Sequence, residues 1–193
     1  MASNAVTSLS PLAGLTNLRT LDFVANQVAD LSPVAAMPRL EWFGPAFNSL
    51  TSLPSLAGLT NVTWLDFQGN RLTNITGLSG MPRLDWVRFA DNRLTDLPTL
   101  SNLPRLSTFD APSNTLASVA GLAGVPSLHW IYLYENNLES LQPLTNFPAI
   151  YWLDVRWNLL NTNAGSAAMQ EIAAIQSHGA GVNYVPQKTP GSN

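Results

Sequence analysis

Five of the six tryptophans in this 193-residue chain recur at one fixed spacing, together with two threonines. This tryptophan column consists of Thr20, Trp42, Trp64, Trp86, Thr108, Trp130 and Trp152. Indole rings bury large apolar areas, attract cations to their faces and are enriched among the anchor residues of interfaces. A row of such side chains on one surface therefore indicates binding chemistry.

A second column follows two residues later and carries charged and aromatic side chains. It consists of Asp22, Gly44, Asp66, Arg88, Asp110, Tyr132 and Asp154. The carboxylates of Asp66, Asp110 and Asp154 can pair with Lys or Arg on a partner. Alternatively, Arg88 forms an internal ion-pair ladder with Asp66 and Asp110, worth at most about 1 kcal/mol per exposed pair. The sequence leaves both interpretations open.

Residues suited to catalysis or metal binding are scarce. The chain has no cysteine, and its two histidines, His129 and His178, lack the spacing of helical metal ligands. Asp66 and Asp110 lie two repeats apart, about 10 Å by strand spacing, which makes a weak carboxylate pair. No nucleophile or base with an orienting partner is visible. We therefore predict no enzymatic activity, no catalytic residue, no metal ion and no cofactor.

An asparagine recurs every 22 residues and defines the repeat that must position these columns. The asparagines are Asn26, Asn48, Asn70, Asn92, Asn114, Asn136 and Asn158. The first copy reads Leu18-x-x-Leu21-x-Phe23-x-x-Asn26-x-Val28, and a fixed period of this length indicates a solenoid of leucine-rich repeats. A buried turn must pair its backbone groups, and an Asn amide offers both donors and an acceptor. We assign the asparagines a structural role.

Two periodicities within each repeat predict its local structure. Apolar residues at alternate positions, such as Leu21 and Phe23, predict a short strand with one buried face. Apolar residues then follow at every third position, which suits a 3₁₀ or extended return segment better than a long α-helix. The predicted fold is an α/β solenoid, a leucine-rich repeat horseshoe with about seven parallel concave strands and 3₁₀ or irregular turns on the convex side. Pro45 removes a ladder donor, so we expect a distorted second rung.

The repeat register divides the chain into one predicted domain, residues 1–186, and a tail. Within the domain, residues 4–17 form a partial first repeat, 18–162 form seven full repeats and 163–186 form a C-terminal cap. Residues 187–193 are predicted to be a disordered tail.

The two ends of the predicted solenoid differ. In the cap, Ser166 is suited to begin a helix that runs to about Ser177, and residues 182–185 are typical of a short closing strand. The N-terminal end has no such cap, although an open end exposes core. We interpret this either as the absence of an N-terminal portion or as pairing of two copies into a homodimer through that end.

Composition excludes several classes of partner. The net charge is −3 and 11% of residues are charged, so the chain offers no basic surface to nucleic acid. No apolar run approaches the roughly 18 residues that span a bilayer. The N-terminus, Met1-Ala2-Ser3-Asn4, lacks the basic and apolar stretches of a signal peptide.

Two segments carry a family resemblance: Asn26-Gln27-Val28-Ala29-Asp30-Leu31-Ser32-Pro33-Val34 and Leu9-Ser10-Pro11-Leu12-Ala13-Gly14-Leu15-Thr16-Asn17-Leu18. The 22-residue unit resembles the internalin-like bacterial leucine-rich repeats over about residues 4–162. The resemblance implies a non-enzymatic protein that holds a partner on its concave strand face and is secreted or attached to a bacterial surface. The chain departs from the pattern at Pro45 and Ala111, where a large apolar residue is expected.

The outward columns vary from copy to copy, although the frame around them is constant. We therefore predict a protein- or peptide-recognition module that binds on its concave face. Two alternatives are a carbohydrate-binding surface and a structural or designed scaffold, in which the indoles pack on one another without a ligand. The predicted contact residues are Trp42, Trp64, Trp86, Trp130, Trp152, Asp66, Arg88, Asp110, Tyr132, Tyr134, Asp154, Arg156 and Trp157.

Overall fold

The computed structural model describes residues 3–35 and 37–189 and shows successive coils that share one parallel sheet. The strands are β1 (Thr20–Asp22), β2 (Trp42–Gly44), β3 (Trp64–Asp66), β4 (Trp86–Arg88), β5 (Thr108–Asp110), β6 (Trp130–Tyr132), β7 (Trp152–Asp154) and β8 (Gly181–Asn183). They follow chain order across the sheet. Equivalent positions of consecutive repeats are paired, as Thr20 is with Trp42, so the 22-residue period becomes the strand register.

The return segments are built from short turns, as the three-residue apolar spacing predicts. Four 3₁₀ helices lie on this side, at Ser10–Leu12, Thr76–Leu78, Ala120–Gly124 and Gln142–Leu144. The aliphatic side chains of strands and returns meet in one continuous buried core. The horseshoe architecture expected from the sequence is confirmed.

The C-terminal cap consists of helix α1 (Ala167–Ser177) and strand β8. Ser166 begins the helix because its hydroxyl accepts a hydrogen bond from the Met169 N–H at 3.3 Å. Ile172 and Ile175 bury one face of α1 against the core. The helix is confirmed, and the predicted closing strand is present one residue earlier than expected, paired in parallel with β7. Among the described residues, no helix has the length and apolarity needed to cross a bilayer.

The start of the predicted disordered tail is fixed by hydrogen bonds. The side-chain carbonyl of Gln187 accepts hydrogen bonds from the N–H groups of Asn158 and Leu160, at 3.1 and 3.2 Å. The ammonium group of Lys188 donates to the carbonyl oxygen of Asn136 at 2.6 Å. These bonds pair backbone groups that the last coil would otherwise leave without partners. Residues 190–193 lie outside the described part of the chain.

The asparagines bridge neighbouring coils, as their structural assignment requires. The Asn48 side-chain oxygen accepts a hydrogen bond from the Val28 N–H at 2.9 Å. Its amide nitrogen donates to the carbonyl oxygens of Phe23 and Ala46, at 3.1 and 3.0 Å. The same pattern recurs in the later coils, so each Asn satisfies backbone groups that the turn leaves inside the protein.

Pro45 shortens the pairing of its rung. In other coils the N–H at this position donates to the next coil, as Phe67 does to the Arg88 carbonyl at 2.8 Å. Proline has no N–H, and the β2–β3 register contains two residue pairs, whereas the β3–β4 register contains three. The expected distortion of the second rung is confirmed as this loss of one pair.

Candidate binding face

Each three-residue strand buries its middle side chain and directs the first and third toward the concave side, because side chains alternate along a strand. Leu65 and Val87, in the middle of β3 and β4, are fully buried. Since equivalent positions pair between strands, outward residues of the same type become direct neighbours about 4.8 Å apart. The sheet thus converts two columns of the sequence into two rows of one surface.

The first half of the tryptophan column forms a stacked row. The ring centroids of Trp42 and Trp64 are 5.7 Å apart with an interplanar angle of 8°. Those of Trp64 and Trp86 are 4.9 Å apart at 5°. All three side chains are half-buried. Gly44 makes room for the row, since a Cβ atom at this position would lie 2.6 Å from the Trp42 ring. The contiguous row expected from the sequence is therefore present.

The second half of the column is arranged differently. Trp130 and Trp152 are paired in the strand register, but the ring contact of Trp130 is to Tyr151, edge-on at 6.2 Å. Tyr151 also contacts His129, with ring centroids 4.9 Å apart. The Trp152 ring leans over Gly181 in β8, where a Cβ atom would lie 2.7 Å away. Trp130 and Trp152 are thus strand neighbours, and Trp130 also belongs to an aromatic cluster with Tyr151 and His129.

Arg88 pairs with one of the two aspartates beside it. Its Nε atom lies 3.2 Å from the Asp110 carboxylate, without the alignment of a hydrogen bond. Burial raises the pKa of Asp110 to about 6, although the Arg88 charge acts in the opposite direction. Burial also raises the pKa of Asp66, which accepts a hydrogen bond from the Gln68 N–H. The internal ion-pair interpretation therefore holds for Asp110.

Asp154 is also satisfied within the chain. Its buried carboxylate accepts hydrogen bonds from the Arg156 guanidinium at 3.0 and 2.8 Å. The same guanidinium lies 5.8 Å from the centre of the Tyr134 ring. Tyr132 and Tyr134 are half-buried, and burial, together with the carboxylate of Asp110, raises the pKa of each phenol. Both tyrosines therefore stay protonated and offer a hydroxyl donor to the face.

The structure reveals a third row, of which only Trp157 is among the contact residues predicted from the sequence. The residue before each asparagine has a left-handed backbone conformation, with φ between 52° and 66°. This rim row consists of Ala25, Phe47, Gly69, Asp91, Ser113, Glu135 and Trp157. Glycine favours this backbone region, and Gly69 was the one residue in the sequence that indicated a left-handed conformation here. Of its two aromatic residues, Trp157 was predicted as a contact residue and Phe47 was not.

Two grooves lie away from the concave face, at the turns that precede the strands. One, of about 630 Å³, is lined by the prolines Pro82, Pro104 and Pro126 with Leu103. The other, of about 480 Å³, contains His129 among polar side chains. Both are open and shallow, and we give the strand face more weight because its side chains converge on one surface. Among the described residues, no three His, Asp or Glu side chains group as a metal site.

Comparison with solved structures finds internalins of Listeria monocytogenes. A crystal structure of internalin InlF matches with a TM-score of 0.77 and 21% identity, covering 95% of this chain and 52% of InlF. A crystal structure of internalin C2 matches with a TM-score of 0.71 and 21% identity, covering 96% of this chain and 77% of that protein. The chain has the internalin fold.

A third internalin differs in an informative way. The functional domain of InlJ from Listeria monocytogenes matches with a TM-score of 0.60 and 17% identity, covering 91% of this chain and 42% of that one. The InlJ domain includes a cysteine ladder, whereas this internalin-like chain has no cysteine and stacks tryptophans. The chain spans about half the length of InlF. No protein-family model and no curated protein sequence matches it.

Proposed function

We propose that the concave face binds a protein or an extended peptide and that the tryptophan column supplies its anchors. The observation that carries the proposal is the half-exposed stack of Trp42, Trp64 and Trp86 across three neighbouring strands. Contiguous apolar surface of this kind marks interaction sites in soluble proteins, and Trp is enriched among interface hot spots. The internalin fold supports the same class of function by analogy.

The stacking favours a protein over a carbohydrate. Both faces of the Trp64 ring are covered, by Trp42 on one side and Trp86 on the other. A sugar ring binds best on an open indole face, whereas the edges of a stacked row suit apolar and aromatic side chains. Cross-strand aromatic pairs can also stabilise a sheet, which is the role the stack would have in a scaffold without a ligand.

A selection experiment tests the proposal. The immobilised protein is screened against a displayed peptide library and, in parallel, against a glycan array. We expect enrichment of peptides, and we expect Trp64→Ala and Trp86→Ala each to weaken binding of a selected peptide by about 2 kcal/mol or more.

The matched control is Val185→Ala, which truncates an exposed apolar side chain outside the sheet strands. It should leave the affinity unchanged. Equal affinity of the wild type and both tryptophan variants would remove the anchor assignment. Enrichment of glycans alone would favour the carbohydrate alternative, and no ligand in either screen would favour the scaffold.

Two further expectations belong to this proposal. The internalin resemblance leads us to propose a secreted or bacterial cell-surface location. At the N-terminal end, Leu15 is exposed although its equivalents in later coils, such as Leu59, are buried. Self-association through this end predicts a molecular mass that rises with concentration in analytical ultracentrifugation, and a constant monomer mass would contradict it.

A further inference from the structure

We propose that the rim row is a docking track for an extended basic peptide segment that carries an apolar side chain at each end. The rim row lies five residues beyond the tryptophan column along each coil, which is at most about 16 Å at the rise of a strand. It is therefore a second contact surface on the same face. The inference rests on the proposed function only for the class of partner, and each can fail without the other.

The two ends of the track are aromatic and exposed. Phe47 and Trp157 expose 48% and 45% of their surface and lie outside the buried core. Both have φ near 55°, a conformation that is unfavourable for bulky side chains and favourable for glycine. Gly69 occupies the same position in the third coil, so the repeat does not require an aromatic residue there. The Phe47 ring lies against Gly69 of the next coil, and about half of its surface, like that of Trp157, stays open to a partner.

The middle of the track is acidic. Asp91 and Glu135 are exposed, and each is oriented by a neutral neighbour. The Asp91 carboxylate accepts a hydrogen bond from the Gln68 amide at 2.9 Å. The Glu135 carboxylate accepts one from the Ser113 hydroxyl at 2.7 Å. These bonds fix the positions of two negative charges without neutralising them.

The two arginines of the strand face form their ion pairs with other carboxylates. Arg88 pairs with Asp110, and Arg156 pairs with Asp154. Within the described part of the chain, Asp91 and Glu135 form no ion pair with an arginine or lysine. A partner with Lys or Arg side chains is complementary to this charge pattern.

The spacing of the row defines the partner. Neighbouring coils lie about 4.8 Å apart, so Asp91, Glu135 and Trp157 lie about 10, 19 and 24 Å from Phe47 along the rim. An extended chain advances about 3.3 Å per residue. Because side chains alternate along an extended chain, only every second residue faces the rim row. The complementary segment thus has apolar residues at its first and ninth positions and basic residues at its fifth and seventh.

A synthetic peptide with this pattern tests the inference. The probe carries Trp at the first and ninth positions, Lys at the fifth and seventh, Ser elsewhere, and blocked termini. Binding to the full chain is measured by isotope-edited NMR titration. We expect shifts of the rim amides, and we expect Phe47→Ser, Trp157→Ser and the pair Asp91→Asn with Glu135→Gln each to weaken binding roughly fivefold or more.

Controls separate this track from other surfaces. Tyr151→Ser removes an exposed aromatic side chain at the opposite flank and should leave the affinity unchanged. A second peptide with Glu in place of both Lys residues should not bind. Melting curves establish that each variant is folded, and the two conservative acid-to-amide changes keep the test available if an aromatic variant unfolds.

The outcomes are distinct. Loss of binding in the rim variants alone supports the track, whatever the tryptophan column does with its own ligand. Equal binding by wild type and all rim variants, binding of the Glu peptide, or no binding of the Lys peptide overturns the track and leaves the proposed role of the tryptophan column standing.

Discussion

Gln187 makes, at the C-terminal end of the solenoid, the two inter-coil hydrogen bonds that Asn158 makes one coil earlier. The Asn158 amide nitrogen donates to the Leu133 carbonyl at 2.9 Å, and its oxygen accepts from the Leu138 N–H at 2.9 Å. The Gln187 amide donates to the Val155 carbonyl at 3.0 Å and accepts from the Leu160 N–H at 3.2 Å. Those partners lie one repeat of 22 residues further along, so Gln187 replaces the asparagine of a coil that is not formed.

Gln187→Ala should therefore lower the free energy of unfolding by about 2 kcal/mol, because it leaves backbone groups of the last coil without partners. Chemical denaturation followed by circular dichroism measures the effect. Gln176→Ala, on the exposed side of α1, is the matched control and should change stability by less than about 0.5 kcal/mol. An equal effect of the two substitutions would show that Gln187 has no capping role.

Asn48→Ala should be more damaging, at about 3–5 kcal/mol, because this side chain satisfies several buried backbone groups at once. The same denaturation experiment applies. Asn17→Ala, at an exposed position, should be close to neutral. If the Asn48 variant were as stable as the Asn17 variant, the inter-coil bonds would contribute little to folding.

The stacked pair Trp64 and Trp86 should show energetic coupling. A double-mutant cycle with Trp64→Ala and Trp86→Ala is expected to give an interaction energy of about 0.5–1.5 kcal/mol in unfolding. The combination of Trp64→Ala with Trp130→Ala is the control, since these residues lie three strands apart and should add within about 0.5 kcal/mol. Additivity in both cycles would mean that the stack does not stabilise the sheet.

Gly69→Ala should destabilise the protein by about 2 kcal/mol. The alanine would have to adopt an unfavourable left-handed backbone conformation, and its Cβ atom would lie 2.4 Å from the Phe47 ring. Removing that ring with Phe47→Ala should recover part of the loss in the double variant. Gly14→Ala meets no atom within 4 Å and serves as the control in thermal melts. Destabilisation of both glycine variants to the same extent would contradict this account.

Stability should decrease as the pH rises through the range in which Asp110 ionises in the folded protein. Burial raises the pKa of Asp110 from 3.8 to about 6, so between these values the folded state binds more protons than the unfolded chain. The free energy of unfolding therefore falls as the pH rises across this window, and the whole destabilisation is present above it. The raised pKa of Asp66 acts in the same direction.

Denaturation at several pH values checks this linkage. Asp110→Asn should flatten the slope across the window, whereas Asp96→Asn, at an exposed position of a return segment, should keep the slope of the wild type. An unchanged slope in the Asp110 variant would assign the pH dependence to other groups.

The sequence by itself determined the coil, the sheet and the cap. The aliphatic positions around Leu65 repeat with a single period, and stacked coils bury all of them in the same way, so the register follows from the repeat. The helix from Ala167 to Ser177 was predictable because Ser166 and the spacing of Ile172 and Ile175 are local signals. The tryptophan row follows from the same register.

The tertiary structure alone decided how the side chains of that surface meet. Spacing places Trp130 beside Trp152, but the ring of Trp130 makes its contact with Tyr151. Spacing also leaves Arg88 between two aspartates, and only the three-dimensional arrangement selects Asp110. Gln187 lies 29 residues from Asn158, outside the 22-residue period, so no repeat pattern could reveal its role. Periodicity specifies the backbone, whereas torsion angles and contacts that break the period are settled only when the coils pack.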